Sequence, residues 1–216
     1  MASYHTVEQG DHLSKIAKQY GFSDYRTIWD DGQNAEVRQK RQNPNVLAPG
    51  DRLYIPDKAL KSALRSTEKH HTFQVKVQRL KLRLVLEDQY EKPIANAPCE
   101  LHVESAIHQL TTDGSGKIEQ DISATAENVR LIIRSKETAL DDLIIPLKVG
   151  HLDPVDEMTG QQARLANLGY YTGPIDSQEN PAFRLAVEEF QCDHGLAVDG
   201  ACGSQTQAKL KSVHGC

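Results

Sequence analysis

The chain has 216 residues, 38% of them hydrophobic and 25% charged, with a formal net charge of −5. That length suits two or three small domains. The acidic balance gives no support to a nucleic-acid partner, and there is no run of about eighteen apolar residues to insert in a membrane.

The opening "MASYHTVEQGDHLSKIAKQYG" lacks a basic stretch followed by an apolar one, so cytoplasmic synthesis without a Sec signal is expected. "YHTVE" alternates and suits a strand. Leu13, Ile16, Ala17 and Tyr20 then recur at helical spacing, with Asp11 as candidate N-cap and Gly21 as the C′ glycine. "YRTIWDDGQNAEVRQKRQN" is a second helical stretch, interrupted near Asp31-Gly32. An Asn-Pro-Asn turn, a Pro-Gly turn and a strand over Arg52–Ile55, ended by Pro56, close this unit. Two strands separated by a helix pair suit one small sheet. Residues 57–72, "DKALKSALRSTEKHHT", are charged with weak helical periodicity and read as a linker, with His70 and His71 solvated.

In residues 73–149, "FQVKVQRLKLRLVLED" places Leu80, Leu82, Leu84 and Leu86 on one side. "PCELHVES", "IHQLTTDGSGKIEQDI", "VRLIIRS" and "DDLIIPLKV" follow as short strands, and "TTDGSGK" carries a hairpin-type signal. Short strands at this density predict an antiparallel sandwich. Residues 150–216 predict three helices. The first carries Met158, Ala163, Leu165 and Leu168. The second buries Phe183, Ala186, Val187 and Phe190 behind an Asn180 cap and Pro181. The third starts at Ser204 as N-cap. The fold class expected is α+β multidomain: a βααβ unit, a central antiparallel β-sandwich and a C-terminal three-helix domain.

Residues 4–56 resemble a LysM domain, through "YHTVEQGDHLSKIAKQYG" and "NPNVLAPGDRLYIP"; "DDGQNAEVRQKRQN" is longer and more charged than usual. The resemblance implies binding of N-acetylglucosamine-containing glycans such as peptidoglycan, in a groove formed by Gly10, Asp11, His12 and Leu13 on one side and Asn43, Pro44, Asn45, Val46 and Leu47 on the other. Leu13, Val46 and Leu47 suit a small core equally well. Residues 157–213 resemble the three-helix peptidoglycan-binding domain of wall hydrolases, through "LGYYTGPID" and "FQCDHGLAVDG". "DSQENPAF" departs from the usual loop. Tyr170, Tyr171 and Asp176 are the contacts this resemblance implies, with Tyr170 expected in the core and Tyr171 presenting a ring face or hydroxyl to ligand. Asp176, Asp199 and Gly200 also suit turn formation. The middle segment resembles the transthyretin-like or carboxypeptidase-regulatory sandwich, through "PIANAPCELHVES" and "LTTDGSGKIEQDI", which implies a spacer or docking module. The three-part arrangement resembles bacterial proteins associated with contractile injection machines such as type VI secretion. It implies delivery to the periplasm or cell envelope by such a machine, and spike, baseplate or effector proteins as possible partners.

No motif of a metallopeptidase or serine hydrolase is present. Glu188 and Glu189 are adjacent on one helix and point apart, whereas a glycosidase needs carboxylates facing across a cleft. Cys192, His194, Cys202, His214 and Cys216 gather near the C-terminus, at spacings too short for a usual zinc finger. Together with Cys99, these cysteines read as ordinary thiols, the alternative being a Cys192–Cys202 disulfide formed after export. The expectation is a non-catalytic wall-binding protein without metal or cofactor; the alternative is an adaptor that uses wall-binding folds to bind protein.

Overall fold

The computed structural model describes residues 3–58, 64–72, 79–134 and 142–216. Strand β1 (Ser3–Thr6) pairs antiparallel with β2 (Arg52–Ile55), Tyr4 opposite Tyr54 and His5 opposite Leu53. Between them run α1 (Leu13–Gln19), α2 (Arg26–Trp29), a 3-10 turn (Gly32–Asn34) and α3 (Ala35–Arg41). The expected helix pair is therefore three helices. The second stretch breaks where the Asp31 carboxylate accepts the Gln33 N–H at 2.9 Å and starts a new turn. Asn34 is buried at this break. Its amide donates to the carbonyls of Ile28 and Tyr54 and accepts the Tyr54 N–H, stitching the helical segment to β2.

Two details of α1 refine the expected caps. His12, not Asp11, is the N-cap: its Nδ1 accepts the Lys15 N–H at 3.4 Å, while Asp11 turns back to Glu8 and His5. At the other end Gly21 has φ +72, and the N–H groups of Gly21 and Phe22 return to the carbonyls of Lys18 and Ala17. That is the Schellman arrangement, in which a left-handed C′ residue lets the chain satisfy the last carbonyls. Leu13, Ile16, Ala17, Ile28, Trp29, Leu47 and Leu53 form the core of this first unit.

In the linker, residues 59–63 lie outside the described set. The same holds for residues 73–78 at the start of the "FQVKVQRLKLRLVLED" strand. The second unit comprises β3 (Leu80–Val85), β4 (Pro98–Val103), β5 (Ala106–Thr111), β6 (Lys117–Ile122), β7 (Asn128–Ile133) and β8 (Leu143–Lys148). All pairings are antiparallel, in two sheets: β3-β6 and β5-β4-β7-β8. Side chains of both sheets share one core, with Ile118 and Ile122 against Leu101, Val103, Val129 and Leu131. The "TTDGSGK" turn is not a hairpin. It carries the chain from β5 in one sheet to β6 in the other, held by the Asp113 carboxylate, which accepts the N–H groups of Ser115 and Lys117. Local turn chemistry specifies the bend and leaves the strand's partner to the core.

The third unit is α4 (Met158–Asn167), α5 (Pro181–Asp193) and α6 (Ser204–His214). Asn180 caps α5 as expected, accepting the Phe183 N–H at 2.9 Å. Ser204 is instead the first helical residue of α6, and Gly203 is the cap. Leu165, Tyr171, Phe183, Ala186, Val187, Phe190 and Leu210 form the core.

Candidate functional site

The two loops the sequence assigned to a glycan groove do come together. Gly10, at φ +88, turns the chain after β1, and the Leu13 N–H donates to the Pro44 carbonyl at 3.2 Å, joining the loops directly. Asn43 then closes an Asx turn on the Asn45 N–H at 2.9 Å, and the Val46 N–H returns to the Asn43 carbonyl.

Most of these residues face inward, which corrects the expectation that all nine line an open groove. Leu13, Val46 and Leu47 are buried, Leu13 completely, because so short a helix needs apolar loop residues to close its core. Asp11 is buried as a structural carboxylate. It accepts the Glu8 N–H at 3.0 Å, meets His5 Nε2 at 2.9 Å and lies 3.5 Å from Lys15 Nζ. Burial opposes its ionisation, but these partners outweigh burial and hold its carboxyl below the usual range. His12 is buried as the helix cap. Burial, with Lys15 adding to it against the pull of Asp11, pushes the imidazole down to about 4 and keeps it neutral.

Gly10 and His12 are covered by a segment from elsewhere in the chain. Gly150 follows β8 with φ +80, and a Cβ there would lie 2.8 Å from the Gly10 carbonyl oxygen and 3.0 Å from His12 Cδ2. The His151 imidazole packs on Gly10, and the His151 carbonyl accepts from Gln9 Nε2 at 3.3 Å. Asn43, Pro44 and Asn45 keep an outward face, and of the three Asn45 is the most open. Asn43 and Pro44 border a cavity of about 530 Å³ whose other wall is Lys211, Ser212, Gly215 and Cys216 of the third unit.

In the third unit Tyr170 packs against the core as expected, whereas Tyr171 does not present itself to ligand. Tyr171 is the buried one. Its ring meets Phe183 edge-on at 5.9 Å, and its hydroxyl donates to the Pro174 carbonyl and accepts from Asn180 Nδ2, both at 3.0 Å. With its ring in the core and its hydroxyl committed to the loop, it has nothing to present to a ligand. Tyr170 is half-buried, edge-on to Phe190 at 5.4 Å. Burial, then Asp193, pushes its phenol well above the ordinary value. Asp176 is exposed and accepts the Gln178 N–H at 3.0 Å, so its position shapes the turn.

Two buried glutamines hold the loops of this unit. Gln162 on α4 accepts the N–H groups of Asp176 and Ser177 on Oε1 and donates to the Gln178 carbonyl. Gln191 on α5 accepts from the N–H groups of Asp199 and Gly200. It donates to the Asp199 carboxylate, the Ala201 carbonyl and Thr206 Oγ1. The apolar pattern passes over both residues; the signal available was a Gln on the inward side of each helix.

Glu188 pairs with Arg184 along α5 at 3.2 Å. Among the described residues, no three His, Cys, Asp or Glu side chains gather as a metal-ligand set, and Cys99, Cys192, Cys202 and Cys216 are free thiols.

Comparison with known proteins agrees with the two ends of the fold. Residues 5–30 match the LysM domain, and residues 156–210 match the family described as "Putative peptidoglycan binding domain". The chain therefore carries a LysM domain and a peptidoglycan-binding domain, both of which are binding rather than catalytic modules. It is similar to N-acetylmuramoyl-L-alanine amidase CwlM of Mycobacterium tuberculosis, 40% identical over 55 residues, which is 26% of this chain and 14% of that protein. It is also similar to localization factor PodJL of Caulobacter vibrioides, 41% identical over 49 residues, 23% of this chain and 5% of that one. The chain thus spans a small part of either relative, and the likeness to the amidase covers only the binding region. No solved structure matches.

Proposed function

We propose that this is a non-catalytic cell-wall protein that binds peptidoglycan through its end modules, with the sandwich as a spacer. The observation that carries this is the presence of two different wall-binding modules on one chain. Two weak sites on a linked scaffold raise retention on a polymer through effective concentration. The Asn45 side-chain amide, exposed on the turn at residues 43–45, is suited to N-acetyl groups. In this proposal the protein anchors or guides a contractile injection system, or its cargo, at the wall and reaches the envelope through that machine. Co-sedimentation of the full chain with purified sacculi tests it. Pelleting that is competed by soluble muropeptides supports wall binding, and absence from the pellet overturns it.

One observation favours a second function, an adaptor that uses these folds to bind a spike, baseplate or effector protein. The Gly10 and His12 surface of the LysM unit already packs against protein, namely Gly150 and His151. Recovery of an injection-machine component with the purified chain, without sacculus binding, supports that alternative.

A further inference from the structure

The segment at residues 150–156 lies over the Gly10–His12 loop of the LysM unit, and its attachments are unequal. On the third-unit side it is built in. The buried guanidinium of Arg164 donates to the Asp153 carbonyl at 2.8 Å, and the Asp153 carboxylate accepts from Thr159 Oγ1 at 2.6 Å. Gly160 allows α4 so close that a Cβ there would lie 2.6 Å from the Asp153 carbonyl oxygen. On the LysM side Gly150 and His151 pack on Gly10 and His12, and the remaining attachments are polar contacts with at least one solvent-exposed partner. Gln9 reaches the His151 carbonyl, and Arg41 reaches Asp156 at 3.4 Å and Glu157 at 4.0 Å. Asp156 and Glu157 are themselves half-open to solvent, and Arg41 keeps its main partner, Asp51, within its own unit. The neighbouring sandwich contributes Glu127 to Lys15 at 2.6 Å, and Ser123 and Thr125 to Lys18.

We propose that residues 150–156 form a strap that masks the Gly10–His12 face, and that glycan engages this face after the strap and third unit swing away together. The proposal rests on the LysM unit binding glycan. Its physical basis is the asymmetry just described: the seam on the LysM side parts by hydrating the Gln9, Asp156 and Glu157 contacts and uncovering Gly10 and His12, whereas the other side would have to break the hydrogen bonds of buried Arg164 and the close packing at Gly160. The Asp156 and Glu157 ends of these ion pairs are open to solvent and Arg41 keeps Asp51 when they part, so their loss costs little, and a ligand preference for the open form shifts the population. The apparent affinity is the open-form affinity reduced by the open fraction. The LysM unit then binds weakly until both modules meet the wall.

The test uses the full chain and the N-acetylglucosamine hexamer. Asp156→Lys with Glu157→Lys places like charge opposite Arg41 and leaves the Arg41–Asp51 pair intact. Gly150→Val opens the seam independently, since its side chain would meet the Gly10 carbonyl. Hydrogen exchange at residues 9–13 reports whether the strap has released, and calorimetry reports binding. Released variants should exchange faster there and bind the hexamer at least about fivefold tighter than the unchanged protein. Faster exchange with equal, measurable affinity overturns the strap and leaves glycan binding standing. Faster exchange with no hexamer binding in any variant overturns glycan binding by the LysM unit, and the strap's role with it. Unchanged exchange in both variants overturns the weak seam.

Discussion

The Arg41 guanidinium closes on the Asp51 carboxylate in a two-point pair, Nε to Oδ2 at 2.7 Å and Nη2 to Oδ1 at 3.0 Å, with both side chains nearly excluded from water. Asp51 also accepts the Ala48 N–H, so the pair fixes the turn that leads into β2. Removing one partner leaves a buried charge unmatched. Asp51→Asn should destabilise the LysM unit by about 3 kcal/mol. Trp29, the single tryptophan of the chain, sits in that unit's core and makes its fluorescence a local reporter of unfolding.

Acid should loosen the same unit through His12. Its folded pKa, about 4, is below the ordinary 6.5, so between these values the unfolded chain takes up a proton that the folded one refuses. Stability is fully present above about pH 6.5, falls as the pH drops, and stops falling from this source below about 4. By pH 5 the loss should be about 2 kcal/mol. Protonation of Nδ1 would also remove the acceptor that caps α1. Urea titrations followed by Trp29 at pH 7 and pH 5 should differ accordingly, and His12→Asn should flatten the difference while lowering stability at pH 7.

Gln191→Leu should cost the third unit about 2–3 kcal/mol, because it leaves the buried N–H groups of the residue 199–200 turn without an acceptor. Tyr171→Phe removes one hydroxyl with two bonds and should cost about 1 kcal/mol, with sacculus binding per folded molecule unchanged. Thermal melts with pelleting assays separate these outcomes from loss of a ligand contact.

Asn45→Ala tests the exposed turn. Its side chain is exposed and caps nothing among the described residues, so the melting temperature should hold, while affinity for sacculi should fall about fivefold through loss of one hydrogen bond. An undiminished affinity would move the glycan contact away from residues 43–45.

Thiol chemistry should follow burial. Cys192 is exposed and should react first with maleimide; Cys202, whose thiol burial pushes up to about 11, should react slowly at neutral pH, and the enclosed Cys99 last. Peptide mapping of partly labelled protein gives the order directly.

Elements with a local cause were legible in the sequence. Strand β2, the Gly21 terminus, the Asn180 cap and the alternating leucines of β3 each depend on neighbours within a few residues. Long-range partners were not. Nothing near "TTDGSGK" says that β6 pairs with β3, a strand far earlier in the chain. The choice between Tyr170 and Tyr171 depended on whether Asn180 and Pro174 would receive a hydroxyl, which is a property of the folded loop. The two LysM loops come together, yet the exposure of Gly10 and His12 was set by Gly150 and His151, more than a hundred residues away.

Gln162 and Gln191 grip their loops almost entirely by the main chain. Loop side chains other than Asp176, Asn180 and Asp199 are thus released from the task of keeping the loop's shape. Mutation can vary exposed positions of "DSQENPAF" such as Gln178 and Glu179 while Asp176, Asn180 and Phe183 keep the backbone trace, so that part of the surface is free to drift toward a new wall chemistry or a protein partner. Two inward-facing amides thereby separate foldability from specificity, and a library randomised at the exposed loop positions, with both glutamines, Asp176, Asn180, Phe183 and Asp199 kept, should yield mostly folded members.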